Sequence, residues 1–408
     1  MAAAQTAPAA GAFSGSMLVP GTNTSLKIGG YVKLDYTYDF SAQENIVGGL
    51  NPGAIPLDAN VPGTTASPGH NIHGASQMTA SESRFNIETR TPTSYGELKT
   101  FIEGDFINPD GLVNSNSFEV NSNSSGFRLR YAYGTIGPWV LGQYNSVFRD
   151  IAAEAETLDY SGPISGGVFR QPLVRYFYAA GSGFEIAVAA ENPQTFWTEG
   201  TSATTLGGTT NTTFGTGQAD KVPDFTAAVT LNAPWGHVAL RGVARDLYDH
   251  NGTTISRSKF GWGLGLSGNL NTGGKDNLIA QVNGGEGAGR YMNTYSALVR
   301  DAVVNTATNA MKTISAWGGL LGYQHWWSDT LRSTVVGSHL RQLDPSGIFT
   351  PGALAVQRKY WWTGTVNLIW SPVPQIDTGI EYIHENRTIG NGQRGNINRA
   401  QLSAKFRF

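Results

Sequence analysis

Three groups of residues in this 408-residue sequence could carry chemistry: a glycine-rich run, a scatter of histidines, and a set of basic residues at alternating positions. The run Gly261–Gly268, GWGLGLSG, contains G-x-G-x-x-G at Gly263, Gly265 and Gly268. That pattern holds a pyrophosphate only where a strand gives way to a helix N-terminus. Here it lies within a stretch that alternates like a strand, so the glycines read as positions of close approach or curvature. Seven histidines are spread along the chain, and His70 and His73 are neighbours only within a Gly/Pro/Asn-rich stretch. H-E-x-x-H and G-x-S-x-G are both absent. The absence of cysteine removes disulfides, thiolate metal sites and cysteine nucleophiles. No catalytic residue, cofactor or metal ligand is assigned. A Ser–His pair brought together by folding, and hence a membrane-embedded enzyme, stays open as the alternative.

The basic residues carry more information. If the apolar side of each alternating segment faces outward, Lys33, Arg84, Arg90, Lys99, Arg128, Arg130, Arg175, Arg241, Arg245 and Arg399 fall on the opposite side. Rows of Arg and Lys lining a pore concentrate anions. Asp35, Glu88, Glu103 and Asp105 lie close enough in sequence to turn the same rows into neutral ladders, and both readings can hold at once. Arg128→Glu or Arg130→Glu is expected to weaken anion preference most among single changes. A second set lies in 146–171, SVFRDIAAEAETLDYSGPISGGVFRQ, which keeps apolar residues and a helix-like patch from Ile151 to Leu158. A long connection that stays apolar should pack against something. Arg149, Glu154, Glu156, Asp159 and Arg170 are placed there at a constriction.

The elements that would position these residues are strands. About sixteen segments show period-2 alternation. In Tyr360–Ser371, Tyr360, Trp362, Val366, Leu368 and Trp370 oppose Trp361, Thr363, Thr365 and Asn367. In Phe127–Thr135, Phe127, Leu129, Tyr131 and Tyr133 oppose Arg128, Arg130, Ala132 and Gly134. In Asn398–Phe408, Ala400, Leu402, Ala404, Phe406 and Phe408 oppose Arg399, Gln401, Ser403, Lys405 and Arg407. The connections alternate in length. Long ones fall near 41–79, 107–125, 146–171, 193–221, 248–256, 286–311, 344–356 and 386–394, and short ones near 93–96, 137–138, 181–183, 232–236, 271–276, 328–330 and 371–375. Soluble all-β folds have no reason to sort loop lengths in this way. Membrane barrels do, with short periplasmic turns and long outer loops.

The expected fold class is all-β: a closed antiparallel transmembrane β-barrel of about sixteen strands with an inward-folded third long loop. Residues 1–25 would form a short periplasmic extension and 26–408 the barrel. A formal net charge of −2 gives no sign of a nucleic-acid partner. No apolar run approaches the roughly 20 residues of a membrane helix, which fits a barrel whose lipid-facing and lumen-facing residues average out. Aromatics near predicted strand ends (Tyr36, Tyr38, Trp139, Trp197, Trp235, Trp326, Trp327, Trp361, Trp362, Trp370) fit girdles at two membrane interfaces. MAAAQTAPAAGAFSGS lacks a basic n-region and an apolar core, and reads as the start of a mature secreted chain with a start Met restored. The function this supports is passive diffusion of small hydrophilic solutes across an outer membrane, with lipid and lipopolysaccharide around the barrel. The rivals are an outer-membrane enzyme, a soluble all-β binding protein and a plugged structural barrel.

The runs PGTNTSLKIGGYVKLDYTYDF (Pro20–Phe40), SRFNIETRTP (Ser83–Pro92), GELKTFIEGDF (Gly96–Phe106), FRLRYAYGTIG (Phe127–Gly137), ETLDYSGP (Glu156–Pro163) and RQPLVRY (Arg170–Tyr176) together resemble the DcaP-like trimeric porins of Gram-negative bacteria. They cover roughly the first half of the chain. The resemblance implies a sixteen-stranded barrel that assembles as a homotrimer, a third loop folded inward, and preference for small anions such as dicarboxylates. Carried over position by position, it marks Arg84, Arg128, Arg130, Arg170 and Arg175 as lumen or constriction residues. The terminal Phe408, at the end of an alternating strand, resembles the assembly signal of outer-membrane barrels.

Overall fold

The computed structural model describes residues 9–42, 49–107, 126–166, 170–201, 220–250, 256–292, 299–305 and 308–408. Most of the connections 107–125 and 193–221, and the first eight residues of the extension, lie outside the described residues.

Sixteen antiparallel strands form the barrel among the described residues. They are β1 Ser25–Ser41, β2 in two segments (Ala75–Thr79 and Arg84–Thr93), β3 Gly96–Asp105, β4 Arg128–Ile136, β5 Trp139–Asn145, β6 Arg170–Gly181, β7 Phe184–Glu191 and β8 Asp224–Ala233. The second half comprises β9 Gly236–His250, β10 Ser256–Gly273, β11 Asp276–Glu286, β12 Ser315–Trp326, β13 Leu331–Leu343, β14 Arg358–Val373, β15 Ile376–Ile389 and β16 Arg394–Arg407. Each strand pairs with the next, and β1 closes the ring on β16 from Tyr31↔Arg407 to Ser41↔Asn398. Closure is what makes the sheet tolerable in lipid, where no water can satisfy a free edge.

The alternation sets the two faces. On β14, Trp362, Val366, Leu368 and Trp370 are exposed on the outside, while Trp361, Thr363, Thr365 and Asn367 are buried inside. On β16, Leu402 and Phe406 are outside, and Arg399, Gln401 and Ser403 are inside and buried. Exposed Trp139, Trp235, Trp327 and Trp370 sit at the short-turn end, and exposed Phe40, Phe127, Phe225, Phe260 and Trp362 toward the long-loop end. Three of the girdle assignments need correction. Trp361 is fully buried within the lumen, Trp326 lies against the inward Arg332 with its ring 5.2 Å from the guanidinium carbon, and Trp197 belongs to a small loop sheet.

A second correction concerns β4. The pairing with β3 slips between Glu103 and Gly104, so that Tyr131 opposes Glu103 while Leu129 opposes Gly104. The extra residue, Arg130, shifts the phase of the strand. Arg128 and Arg130 face the lumen above the bulge, as the alternation gives. Below it Tyr131 and Tyr133 also turn inward, against Phe101 (ring centroids 6.1 and 5.6 Å apart) and Tyr144 (5.9 and 4.6 Å).

The lumen is not uniformly polar. Phe148, Ile164, Tyr291, Met292 and Val299 from the connections form one buried cluster with Val243, Ala316, Leu340 and Trp361 of the wall. Leu50 and Ile55 pack on Ile383 and Ile397. A three-stranded sheet, Trp197–Glu199, Ala302–Asn305 and Ala310–Thr313, covers part of the long-loop end. Long loops with apolar side chains can bury them only against inward wall positions.

Candidate functional site: the constriction between the third long loop and the basic wall

The third long connection leaves the sheet after Asn145 and re-enters at Arg170, so Arg170 is the first residue of β6 rather than part of the loop. The helix-like patch is realised only as a 3-10 turn, Ile151–Ala153. Beyond it, inward side chains of the wall take the backbone groups that a helix would use. Gln281 donates to Ala153 O (2.6 Å), Asn367 to Glu156 O (2.8 Å), and Lys33 (2.7 Å) and Gln401 (3.1 Å) to Leu158 O. The Leu158 and Asp159 amides both donate to the Glu381 carboxylate at 2.8 Å. Glu156 is held by Arg332 through two bonds of 2.6 Å. The loop is therefore stitched to β9–β16 and β1. Burial pushes the Asp159 carboxyl up, outweighing Arg399 and the amides of Leu50 and Ser161. Burial works against the Asp150 carboxylate too, but bonds from His237 and Ser267 outweigh it and hold Asp150 below the usual carboxylate range.

Facing the loop is the wall β2–β6. An open space of about 270 Å3 remains between them, lined by Lys33, Glu82, Arg84, Arg130, Arg149, Tyr160, Arg170 and Lys405 among others. Register orders the cations. Arg84 opposes Asp105, which opposes Arg128. Toward the short-turn end, Arg90, Lys99, Thr135, Val140 and Arg175 follow one another across five strands.

These cations differ in how far they are compensated. Lys33 is buried, paired with Glu82 and 3.3 Å from Asp35. Glu82 is delivered by the break between the two segments of β2. Arg84 lies 3.6 Å from Glu103 and 3.9 Å from Glu82. Arg90 pairs with Glu88 (2.7 Å) and Glu97 (3.5 Å), and Lys99 with Glu88 (3.3 Å). Arg128 pairs with Asp105 (2.6 Å), and Arg130 with Glu103 (2.8 Å) and Asp105 (3.0 Å). Arg149 pairs with Glu154 (2.5 Å) within the loop. Arg241, Arg245 and Arg399 face inward but are buried beneath the loops, bonded to Phe148 O, to Asp224 and Asp301, and to Asp39. Arg170 and Arg175 have no carboxylate within ion-pair distance among the described residues. Arg170 lies over the Tyr131 ring (5.5 Å), and Arg175 over those of Tyr144 (5.8 Å) and Phe177 (5.9 Å).

Sequence reasoning did not single out Glu82, Tyr160, Lys405 or Glu381. The alternation of β16 already set Lys405 on the inward face without marking it as a site residue, and that of β15 could have placed Glu381 in the same way. Glu82 and Tyr160 sit in a strand break and a loop, where no period marks them.

The family model for the DcaP outer membrane protein matches residues 16–408. The chain belongs to that family. It superposes on the outer membrane channel DcaP of Acinetobacter baumannii with a TM-score of 0.78 at 22% identity, covering 98% of this chain and 100% of that one. An anion-selective porin from Comamonas acidovorans shares the fold (TM-score 0.58, 10% identity, 94% of this chain and 100% of that one). Porin Omp2b of Brucella suis is 25% identical over 181 residues, which span 44% of this chain and 40% of the Brucella protein. This DcaP-family chain is thus a Gram-negative outer-membrane β-barrel.

The other candidate chemistries fare differently. Ser267 Oγ and His237 Nε2 both bond to Asp150, the latter at 2.9 Å, and not to each other, so the proton relay of a serine nucleophile is not assembled there. Gly263, Gly265 and Gly268 lie within β10, paired to β9 and β11 on both sides with no helix following. A Cβ at Gly265 would lie 2.4 Å from Asn283 Oδ1, which explains the glycine without a ligand.

Proposed function

We propose that this chain is a passive diffusion channel for small hydrophilic anions, with dicarboxylates as the fitting solute class. One observation carries the reading. The loop leaves a narrow space lined by Arg84, Arg130 and Arg170, of which Arg170 has no carboxylate partner among the described residues; Arg128 pairs with Asp105 beside it, and Arg175, likewise without a carboxylate partner among the described residues, follows on the same wall toward the short-turn end. A guanidinium fork over an aromatic ring is rigid and weakly hydrated, and suits brief bidentate contact with a carboxylate. Passage requires that contact to be weak and repeated along the path, which a row of cations at successive depths provides. Lys33, Arg90, Lys99 and Arg149 enter the reading as compensated members that shape the transverse field. Glu154, Glu156 and Asp159 hold the loop rather than repel solute, since each is tied to a cation or backbone amides. Three copies assemble as a homotrimer within lipid and lipopolysaccharide, as the family resemblance implies.

The test is the reversal potential of the purified protein in a planar bilayer under a salt gradient. The expected result is a potential of the sign given by anion preference. A cation-selective potential overturns the anion reading, and an absence of any conductance overturns the channel.

A further inference from the structure

Tyr160, on the constriction loop, points its hydroxyl into the basic wall. Arg128 Nη2 lies 2.6 Å from Tyr160 Oη, Arg130 Nη1 2.8 Å and Arg170 Nη2 3.2 Å. All the hydrogen bonds to this oxygen come from guanidiniums, and none of the described residues accepts a bond from it. A neutral phenol has one proton to donate and two lone pairs to offer, whereas a phenolate is acceptor-only. Three converging donors and no acceptor are the surroundings of an anion. The Arg128 and Arg130 guanidinium carbons also lie 5.2 and 5.7 Å from the ring centroid. The ring remains partly exposed to the lumen, so protons can exchange.

We infer that Tyr160 is a selectivity-setting residue whose hydroxyl occupies an anion seat between three arginines and, by ionising, withdraws positive charge from the constriction as pH rises. This rests on the anion-channel reading above and adds a regulation to it.

The surrounding charges support the sign. On the wall, Arg128, Arg130 and Arg170 face Tyr160 together with Asp105 and Glu103, and Arg84, shared between Glu103 and Glu82, and Lys405 line the same space, so cations outnumber carboxylates around the hydroxyl. From the loop, Arg149 is paired with Glu154, and Asp159 is buried and bonded to the Leu50 and Ser161 amides. From β1 and the β2 break, Glu82 and Asp35 share Lys33. Burial alone would push the phenol up, but Arg130, Arg170 and Arg128 outweigh it and bring it down to about 8. Below that pH the hydroxyl is neutral and the excess charge is available to solute. Above it the phenolate offsets one unit of that charge.

The experiment compares the full-length protein with Tyr160→Phe, both verified as folded barrels by heat-modifiable mobility, between about pH 6 and pH 9, the variant serving to subtract the other fifteen tyrosines, whose ordinary ionisation near pH 10 only begins in that range. Two readouts are taken: the ultraviolet tyrosinate band, and the reversal potential under a chloride gradient. Expected is a one-tyrosine step centred near pH 8 in the wild type and missing in Tyr160→Phe. The wild-type anion-to-cation permeability ratio should fall roughly twofold across the same range while that of the variant stays level. A wild type without the tyrosinate step, a variant that retains it, or a permeability ratio that is flat in both or shifts equally in both overturns the inference. A wild type that favours cations even at the acid end overturns the anion-channel reading alone, because the tyrosinate step and the Tyr160-dependent shift in potential still decide the role of Tyr160.

Discussion

At the residue scale, the cations of the wall are distinguished by what faces them rather than by their number. Arg128 and Arg130 share Asp105, and Arg130 also holds Glu103, so much of their charge is spent inside the protein. Reversing either strands Asp105 beside a new carboxylate and disturbs the wall as well as the pore. On the anion-channel proposal, this pairing gives the expectation that neutralising Arg170 or Arg175 lowers anion preference more than changing Arg128 or Arg130. Arg175→Gln removes a charge that no carboxylate offsets, and should lower the anion-to-cation permeability ratio by roughly twofold. Arg90→Gln, whose charge is already matched by Glu88 and Glu97, should change it much less. Reversal potentials of the two variants at one salt gradient check the order. An equal loss would mean that net charge, not local compensation, sets preference.

At the element scale, the constriction is a loop held by strands. Glu381 on β15 accepts the consecutive amides of Leu158 and Asp159, and Asn367 on β14 braces both Glu381 and the Glu156 carbonyl. Glu381→Ala leaves two buried amides without acceptors, at a cost of about 1–3 kcal/mol each if they stay buried. The loop should then loosen while the barrel remains. Single-channel recordings of Glu381→Ala are expected to show larger and noisier conductance than the wild type, with heat-modifiable mobility retained. Unchanged conductance would show that the apolar cluster of Phe148 and Ile164 holds the loop without the polar stitches. The alternation in β14 and β16 was plain in the sequence because those strands pair without a slip along the stretches that carry it. That of β4 was not, because a bulge depends on the neighbouring strand: Gly104 of β3 accommodates the Phe127 ring, which would lie 2.0 Å from a Cβ there.

At the scale of the whole molecule, stability rests on an outer face that only hydrocarbon can cover. Leu264 lies mid-way along β10 and is 54% exposed, with exposed Trp262 and Leu266 beside it on the same face. Leu264→Arg places a charge in the apolar band and should cost about 2–4 kcal/mol if it lies near the bilayer midplane. Refolding into lipid vesicles under a urea gradient, read by the mobility of unheated samples, measures the loss. A variant as stable as the wild type would mean that this face is not in lipid.

The sequence by itself determined the number of strands, the ends at which long and short connections lie, and the outward or inward side of each regular strand, because these follow from a period of two and from turn residues that are local. It also delivered the basic wall, since Arg84, Arg128, Arg130 and Arg175 obey the same period. Tertiary structure decided which of those cations remain uncompensated, that Arg241, Arg245 and Arg399 are sealed beneath loops, and that Tyr160 reaches three guanidiniums. Those outcomes depend on distances across the lumen between residues far apart in the chain, and such pairings leave no local pattern to read.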